Sequence, residues 1–352
     1  MQPERTAATQ RRGTEFAELT NQGKLRRVRR LALAALDHYD LAVSRMTVVS
    51  YHLNVLYRVE TTDGERYALR ISHPTWRDDV ELRSELAWLA ALARETDIGA
   101  HQPLSNRDGE LVTTIAVESV PEARRAVLFS WAAGVQLAKW LTNANVEAMG
   151  VLSARLHEHA ATFTPPDGFT TRRLDCLFPR DEEVVLFTPR FAHLFSPEQR
   201  KVFEQAIERA QTELDRLYRS PDPPRVIHGD LHHENVLVDH GRLQPVDFED
   251  IINAYPIQDI ALTFYDFRYF TDPARHGYAA LCATFQRGYT SRLPWPQEYP
   301  GQLDILHLAR RIWVANWVLQ HEDAQHHAPF VERETERFQG FMQLEADVGP
   351  MR

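Results

Sequence analysis

The residues best equipped for chemistry lie in one short stretch, Val226-Ile227-His228-Gly229-Asp230-Leu231-His232-His233-Glu234-Asn235-Val236-Leu237-Val238, followed by Pro245-Val246-Asp247-Phe248-Glu249-Asp250. Two short apolar strands flank a polar loop, and a third strand ends in an acid. That arrangement can converge Asp230, Asn235 and Asp247 on one point. Carboxylate and amide groups this close to apolar strands are costly unless paired or bound to a cation. An oxygen-rich set of this kind suits magnesium, which takes a few carboxylate or amide oxygens plus substrate phosphates. Phosphoryl transfer needs a metal to neutralise phosphate charge, a carboxylate to orient the acceptor and a cation on the phosphates. In that chemistry Asp230 orients and deprotonates an incoming hydroxyl, while Asn235 and Asp247 hold the magnesium.

The elements that must position these groups can be read from hydrophobic periodicity. Strands are expected at Arg225–His228, Val236–Asp239 and Leu243–Asp247. The helix before them starts at Ser196-Pro197-Glu198-Gln199, a capping-box pattern with proline in the first turn, and ends before Pro221, Pro223 and Pro224. Met149, Leu152, Leu156 and Ala160 mark another helix, and the Pro- and Phe-rich stretch 162–195 reads as a loop or lid. From about Ile257 onward the chain is helical, with Ile305–Leu319 apolar nearly all round and expected to be buried. Toward the N-terminus, residues 44–71 and 99–131 read as strands. They surround a helix at about 79–95 with a Leu82/Leu86/Leu89/Ala93 stripe, and Asp63-Gly64 serves as a hairpin turn. Strands first and helices later imply an α+β fold of two unlike lobes. The expected division is a disordered tail at 1–13, an N-terminal nucleotide-binding lobe at 14–131 and a C-terminal catalytic lobe at 132–352.

Composition narrows the classes. The 352 residues carry 40 basic and 49 acidic side chains, a net charge of −9, which argues against a dedicated nucleic-acid binder. The basic run Lys24–Arg30 is expected to be the solvated face of a helix. Cys176 and Cys282 cannot build a disulfide framework and fit a reducing compartment. No run approaches the roughly 18 apolar residues of a membrane span, so a cytoplasmic location without membrane partners is expected.

The run His228-Gly229-Asp230-Leu231-His232-x-x-Asn235, then Asp247-Phe248-Glu249, resembles the signature of the aminoglycoside phosphotransferase and choline kinase-like family. The resemblance spans about 40 to 320, and it implies a protein-kinase-like bilobal fold with Mg-ATP between the lobes. It also implies transfer of the γ-phosphate to a hydroxyl of a small molecule such as an amino alcohol, an amino acid or an aminoglycoside-like compound. Asp230 takes the catalytic-base position, and Asn235 and Asp247 the metal-ligand positions. Asp259, in Ile257-Gln258-Asp259-Ile260-Ala261, braces the catalytic loop, as do His228 and His232. Tyr67-Ala68-Leu69-Arg70-Ile71 resembles the strand that carries a phosphate-contacting lysine, here Arg70. Glu85 is the expected partner of Arg70, with Glu81 the weaker candidate. The segment Ser50-Tyr51-His52-Leu53-Asn54 stands where a glycine-rich phosphate loop would lie and offers Ser50 and Asn54 as donors. Ala126–Gly134 resembles the interlobe hinge, with Phe129, Ser130 and Trp131 against adenine.

Around Tyr67–Pro74 and Glu85–Leu92 the chain is nearer the homoserine-kinase-like and stress-kinase-like bacterial branches. A protein serine/threonine kinase and a non-catalytic pseudokinase scaffold are the alternatives. Arg70 and the glycine-free loop favour the scaffold, and the intact Asp230/Asn235/Asp247 set opposes it. A transition-metal centre at His228, His232, His233 and Glu234 is disfavoured, because the spacing is not that of a helical His pair and adjacent histidines tend to point apart. Trp313 and Trp317, four apart on a helix, are expected in the core, with a substrate cage the alternative. Glu249, Asp250 and Asp266 would suit an amine-bearing acceptor.

Overall fold

The computed structural model describes residues 16–348 except 52 and 181; the expected tail at 1–13 lies outside them. By internal contacts the chain divides into two compact units. The described residues up to Asp79 cluster with Gln102–Trp131, and Val80–His101 cluster with the chain from Ala132 onward.

The first unit is an antiparallel sheet covered by one helix. Helix α1 (Asn21–Leu36) begins at Thr20, whose hydroxyl accepts from the Gly23 N–H at 3.2 Å. Strands β1 (Val43–Tyr51), β2 (Val55–Thr61) and β3 (Arg66–Ile71) follow. Tyr57, Val59 and Leu69 alternate inward against Val28, Leu31, Ala32 and Ala35 of α1, as period-two patterning requires. Arg26, Arg29 and Arg30 remain exposed, so the basic run is a solvated face. Gly64, at φ 91°, makes the β2–β3 turn.

Helix α2 (Asp79–Glu95) packs its buried face within the second unit, although sequence patterning assigned it to the N-terminal lobe. The stripe was right, but it could not reveal the partner. Trp88 of α2 donates to His159 Nδ1 at 3.2 Å and meets Phe248 edge-on at 5.6 Å. Strands β4 (Pro103–Leu104), β5 (Thr113–Ile115) and β6 (Arg124–Ser130) complete the first sheet, in the order β1-β2-β3-β6-β4 with β5 also on β6. The expected strand around Leu111–Val117 shrinks to three residues. Upstream of it the chain is held in a turn, with Asn106 Oδ1 accepting from the N–H groups of Asp108 and Glu110.

The second unit continues with β7 (Val135–Gln136) and α3 (Asn143–Thr162). Helix α4 (Pro197–Leu217) opens on the expected capping box, Ser196 Oγ accepting from Gln199 N–H and Gln199 Oε1 from Ser196 N–H. Then come β8 (Arg225–Ile227), β9 (Val236–Asp239), β10 (Arg242–Pro245) and β11 (Ile252–Ala254). Helices α5 (Pro256–Tyr269), α6 (Tyr278–Thr290), α7 (Gln302–His321) and α8 (Ala324–Val348) end the described chain. Helices α3 and α6 cross closely at Gly150 and Gly288. A Cβ on either would sit 2.0 or 1.9 Å from the other helix's carbonyl oxygen, so only glycine fits. Phe203, Leu214, Ile312, Leu319 and Phe338 anchor the core that α4, α7 and α8 share. Residues 163–195 have almost no regular structure, yet they are anchored. Leu177, Val185, Leu186 and Phe191 are buried, and Asn316 Oδ1 of α7 accepts from Val185 N–H at 2.7 Å.

Candidate active site

Strand β8 ends in the loop 228–235, and β9 leaves it. Hairpin β9–β10 then returns the chain so that Val236 faces Pro245 in register. The register carries Val246 back onto the loop. Val246 N–H donates to Asn235 O at 2.9 Å, and Val246 O accepts from His228 Nε2 at 3.1 Å. Because a carbonyl only accepts, His228 carries its proton on Nε2, and Nδ1 accepts from Asp230 N–H at 3.3 Å. Burial pushes the pKa of His228 down, in keeping with a neutral ring. Asn235 Nδ2 donates to both the carbonyl and Oδ2 of Asp230, each at 3.0 Å. Asp230 and Asn235 are thus in direct contact, and Asp247 follows the residue bonded to both ends of the loop. Asp247 adopts the left-handed region, φ 64° and ψ 62°, which aspartate tolerates better than bulkier residues.

The loop is braced from below by α5 and α3. Gly229 N–H donates to Asp259 Oδ1 at 3.0 Å. Asp259 Oδ2 accepts from His157 Nε2 at 3.2 Å, and His157 Nδ1 meets Tyr289 Oη at 3.0 Å. Thr263 Oγ1 donates to Leu231 O at 2.6 Å. Gly229 sits at φ 74°, and a Cβ there would lie 2.2 Å from Asp250 O.

Burial pushes the Asp230 carboxyl up, but the hydrogen bond and charge of His232, with the charges of Arg310 and His228, hold it well below the usual carboxylate range. His232 Nε2 lies 3.3 Å from Asp230 Oδ2. Burial opposes the charge on His232, but the Asp230 hydrogen bond and charge outweigh it and raise its pKa.

Contrary to expectation, His232 and His233 do not point apart. Their ligand-capable atoms and one from Asp266 all lie within 4.8 Å of one another, with the two rings edge to face at 6.4 Å. Each is engaged with a carboxylate, His232 with Asp230 and His233 with Asp266. Of the acids whose charge would suit an amine, none of which the sequence assigns to one, Asp266 accepts from His233 and Asp250 pairs with Arg180 at 2.7 Å.

The residues of the first unit expected to meet nucleotide sit on its sheet. Arg70 is buried on β3 opposite Val127, its guanidinium 5.2 Å from the Phe129 ring. Asn54 Oδ1 accepts from His73 N–H at 2.8 Å, so it ties the β1–β2 turn to the end of β3, and Ser50 lies at a register shift of β1. Ser130 N–H is committed to Gln102 O at 2.8 Å, and its hydroxyl accepts from Gln102 N–H at 2.8 Å. The hinge reading assigned it to adenine; the edge strand takes it instead. Trp131 lies under Arg58 at 6.0 Å. In the second unit Glu85 is buried on α2, whereas Glu81 pairs with Arg172 at 2.7 Å.

Trp313 is not core. It is half-buried and lines a cavity of about 90 Å³ with Arg180, Arg310 and Gly229, and Trp317 is exposed and stacked on His321. Sequence reasoning missed Arg180 and Arg310. The available signal was a pair of charges, Arg310-Arg311, inside an otherwise apolar helix.

The profile of the phosphotransferase enzyme family matches residues 50–295. Amicoumacin kinase of Bacillus subtilis (strain 168) is 28% identical over 210 residues, 58% of this chain and 58% of that protein, so the match spans less than two thirds of that relative. Among solved structures, amicoumacin kinase hAmiN in complex with AMP-PNP, Ca2+ and Ami aligns with TM-score 0.75 at 19% identity, covering 93% of this chain and 100% of that one. A microcompartment-associated aminopropanol kinase aligns with TM-score 0.70 at 23% identity, covering 89% and 94%. The fold is the kinase-like one these structures share. No described helix is long and apolar enough to cross a membrane.

Proposed function

This chain belongs to the phosphotransferase enzyme family, and we propose that it transfers the γ-phosphate of ATP to a hydroxyl of a small molecule. The observation that carries the reading is the Asp230–Asn235 contact on a loop locked to Val246, which joins a low-pKa carboxylate to an amide and an adjoining acid. Asp230 orients the acceptor hydroxyl and accepts its proton. Asn235 uses its N–H groups on Asp230, which leaves its amide oxygen to act with Asp247 as a hard donor pair, the kind magnesium takes. When bound, magnesium would neutralise charge on the transferred group. Arg70, steadied by Phe129, contacts the phosphates, and Glu85, Ser50, Asn54, Phe129 and Trp131 serve nucleotide binding.

The named relatives act on amicoumacin and aminopropanol, which supports a small-molecule acceptor over a protein one. Incubation with ATP and a pooled set of hydroxyl metabolites, read by mass gain of one phosphate, tests the reading. At least one acceptor should gain phosphate. Absence of gain across an exhaustive pool, with nucleotide still bound, would favour the scaffold.

A further inference from the structure

The cavity beside the catalytic loop holds two guanidinium groups to which the phosphotransfer reading assigns no contact with the acceptor. Its walls include Leu177, Leu214, Leu306 and Trp313, and its cations are Arg180 and Arg310. Arg180 is matched by Asp250 at 2.7 Å. Arg310 is placed differently. Its Nη2 is 3.8 Å from Asp230 Oδ1, too far for a hydrogen bond, and its Nε is buried without a hydrogen-bond partner. The guanidinium lies 4.3 Å from the Trp313 ring centre, and Trp313 is fixed by donating to Glu182 at 2.6 Å. Stacking on a ring directs guanidinium donors edgewise, the presentation that accepts a carboxylate. Burial works against the charge of Arg310, so an incoming anion would recover interaction the site has already given up in water.

An ammonium group here would meet two guanidiniums. The acids around the cavity are committed: Asp250 to Arg180, Glu182 to Trp313 and Arg180 N–H, and Asp230 to chemistry. Size points the same way. The cavity, about 90 Å³, is smaller than the roughly 150 Å³ that takes benzene, which suits a short aliphatic body.

We propose that the acceptor is a short hydroxy acid, its carboxylate on Arg310, its aliphatic segment against the leucine walls and its hydroxyl at Asp230. The inference rests on the phosphotransfer reading for its chemistry. The hydroxyl oxygen bonds to the γ-phosphorus as the bond to the ADP oxygen breaks. The hydroxyl proton passes to Asp230, and a phosphate monoester and ADP leave.

The test uses the full chain with γ-hydroxybutyrate and with the amino alcohol and the diol of the same chain length. Calorimetry without nucleotide and ATP-dependent phosphorylation are both measured. The hydroxy acid should bind and be phosphorylated with kcat/KM at least about tenfold above the amino alcohol. Arg310→Met should remove the binding and the preference, with KM for ATP unchanged, and Arg310→Lys should restore part of both. Preference for the amino alcohol, or a preference that survives Arg310→Met, overturns the proposal while leaving phosphotransfer intact. A higher KM for ATP in Arg310→Met with unchanged acceptor preference also overturns it, since Arg310 would then serve the nucleotide. Arg310-dependent binding of the hydroxy acid with no turnover of any compound supports the pocket assignment and counts against the phosphotransfer reading.

Discussion

The loop 228–235 of the second unit and the sheet of the first unit hold their candidate functional residues by opposite means. In the loop, residues are clamped from outside at intervals: His228 by Val246, Gly229 by Asp259, Leu231 by Thr263 and His233 by Asp266. The backbone path leaves room for only certain residue types, most plainly at Gly229. On the sheet, ladder pairing supplies the position, and Arg70 is held by its register and by the Phe129 ring. A sheet tolerates an exchange of one cation for another. That difference explains why the loop keeps a contiguous signature while the sheet carries arginine for lysine and a turn without glycine.

Two glycines sharpen this contrast most. Gly229→Ala would combine a left-handed φ with a Cβ 2.2 Å from Asp250 O and should destabilise the protein by about 3 kcal/mol. Gly64→Ala, at φ 91° but with nothing within 4 Å, should cost about 1 kcal/mol. Urea denaturation of both variants checks this, and equal losses would break the contrast.

The next effect is on activity. Arg70→Ala should lower kcat/KM for ATP about 10- to 100-fold, the worth of a charge-assisted contact. Arg70→Lys should recover most of it. Steady-state kinetics with ATP varied decides, and an unchanged efficiency in Arg70→Ala would make Arg70 a structural charge.

The smallest effect concerns pH. His232 has a raised folded-state pKa, so its stabilising contribution is full below the ordinary value of 6.5 and is lost as pH rises through the folded value. In thermal melts from about pH 6 to about pH 9, His232→Gln should lack this component. Wild type should lose roughly 2 °C more than the variant across that range. Parallel curves would remove His232 as the charge partner of Asp230.

These same features decide how far the sequence could be read. Asp230, Asn235 and Asp247 were recognisable because one hairpin places them, so their spacing carries the geometry. Asp259 as a brace was visible from its place at a helix start, but His157 and Tyr289 behind it come from distant helices and left no local mark. The face of α2 was evident from its leucine stripe, while its packing with His159 and Phe248 depended on tertiary context. Trp313 reads as core from sequence because a tryptophan within an apolar helix usually is. The arginine three residues before it, stacked on its ring, keeps it at a cavity wall.

Asp230→Asn tests the central claim most directly. With a phosphorylated acceptor in hand, the variant should bind ATP with unchanged affinity while its turnover falls by about 10²–10⁴-fold, the range of a general base. Turnover equal to wild type would contradict the assignment of Asp230 and, with it, the proposed reaction.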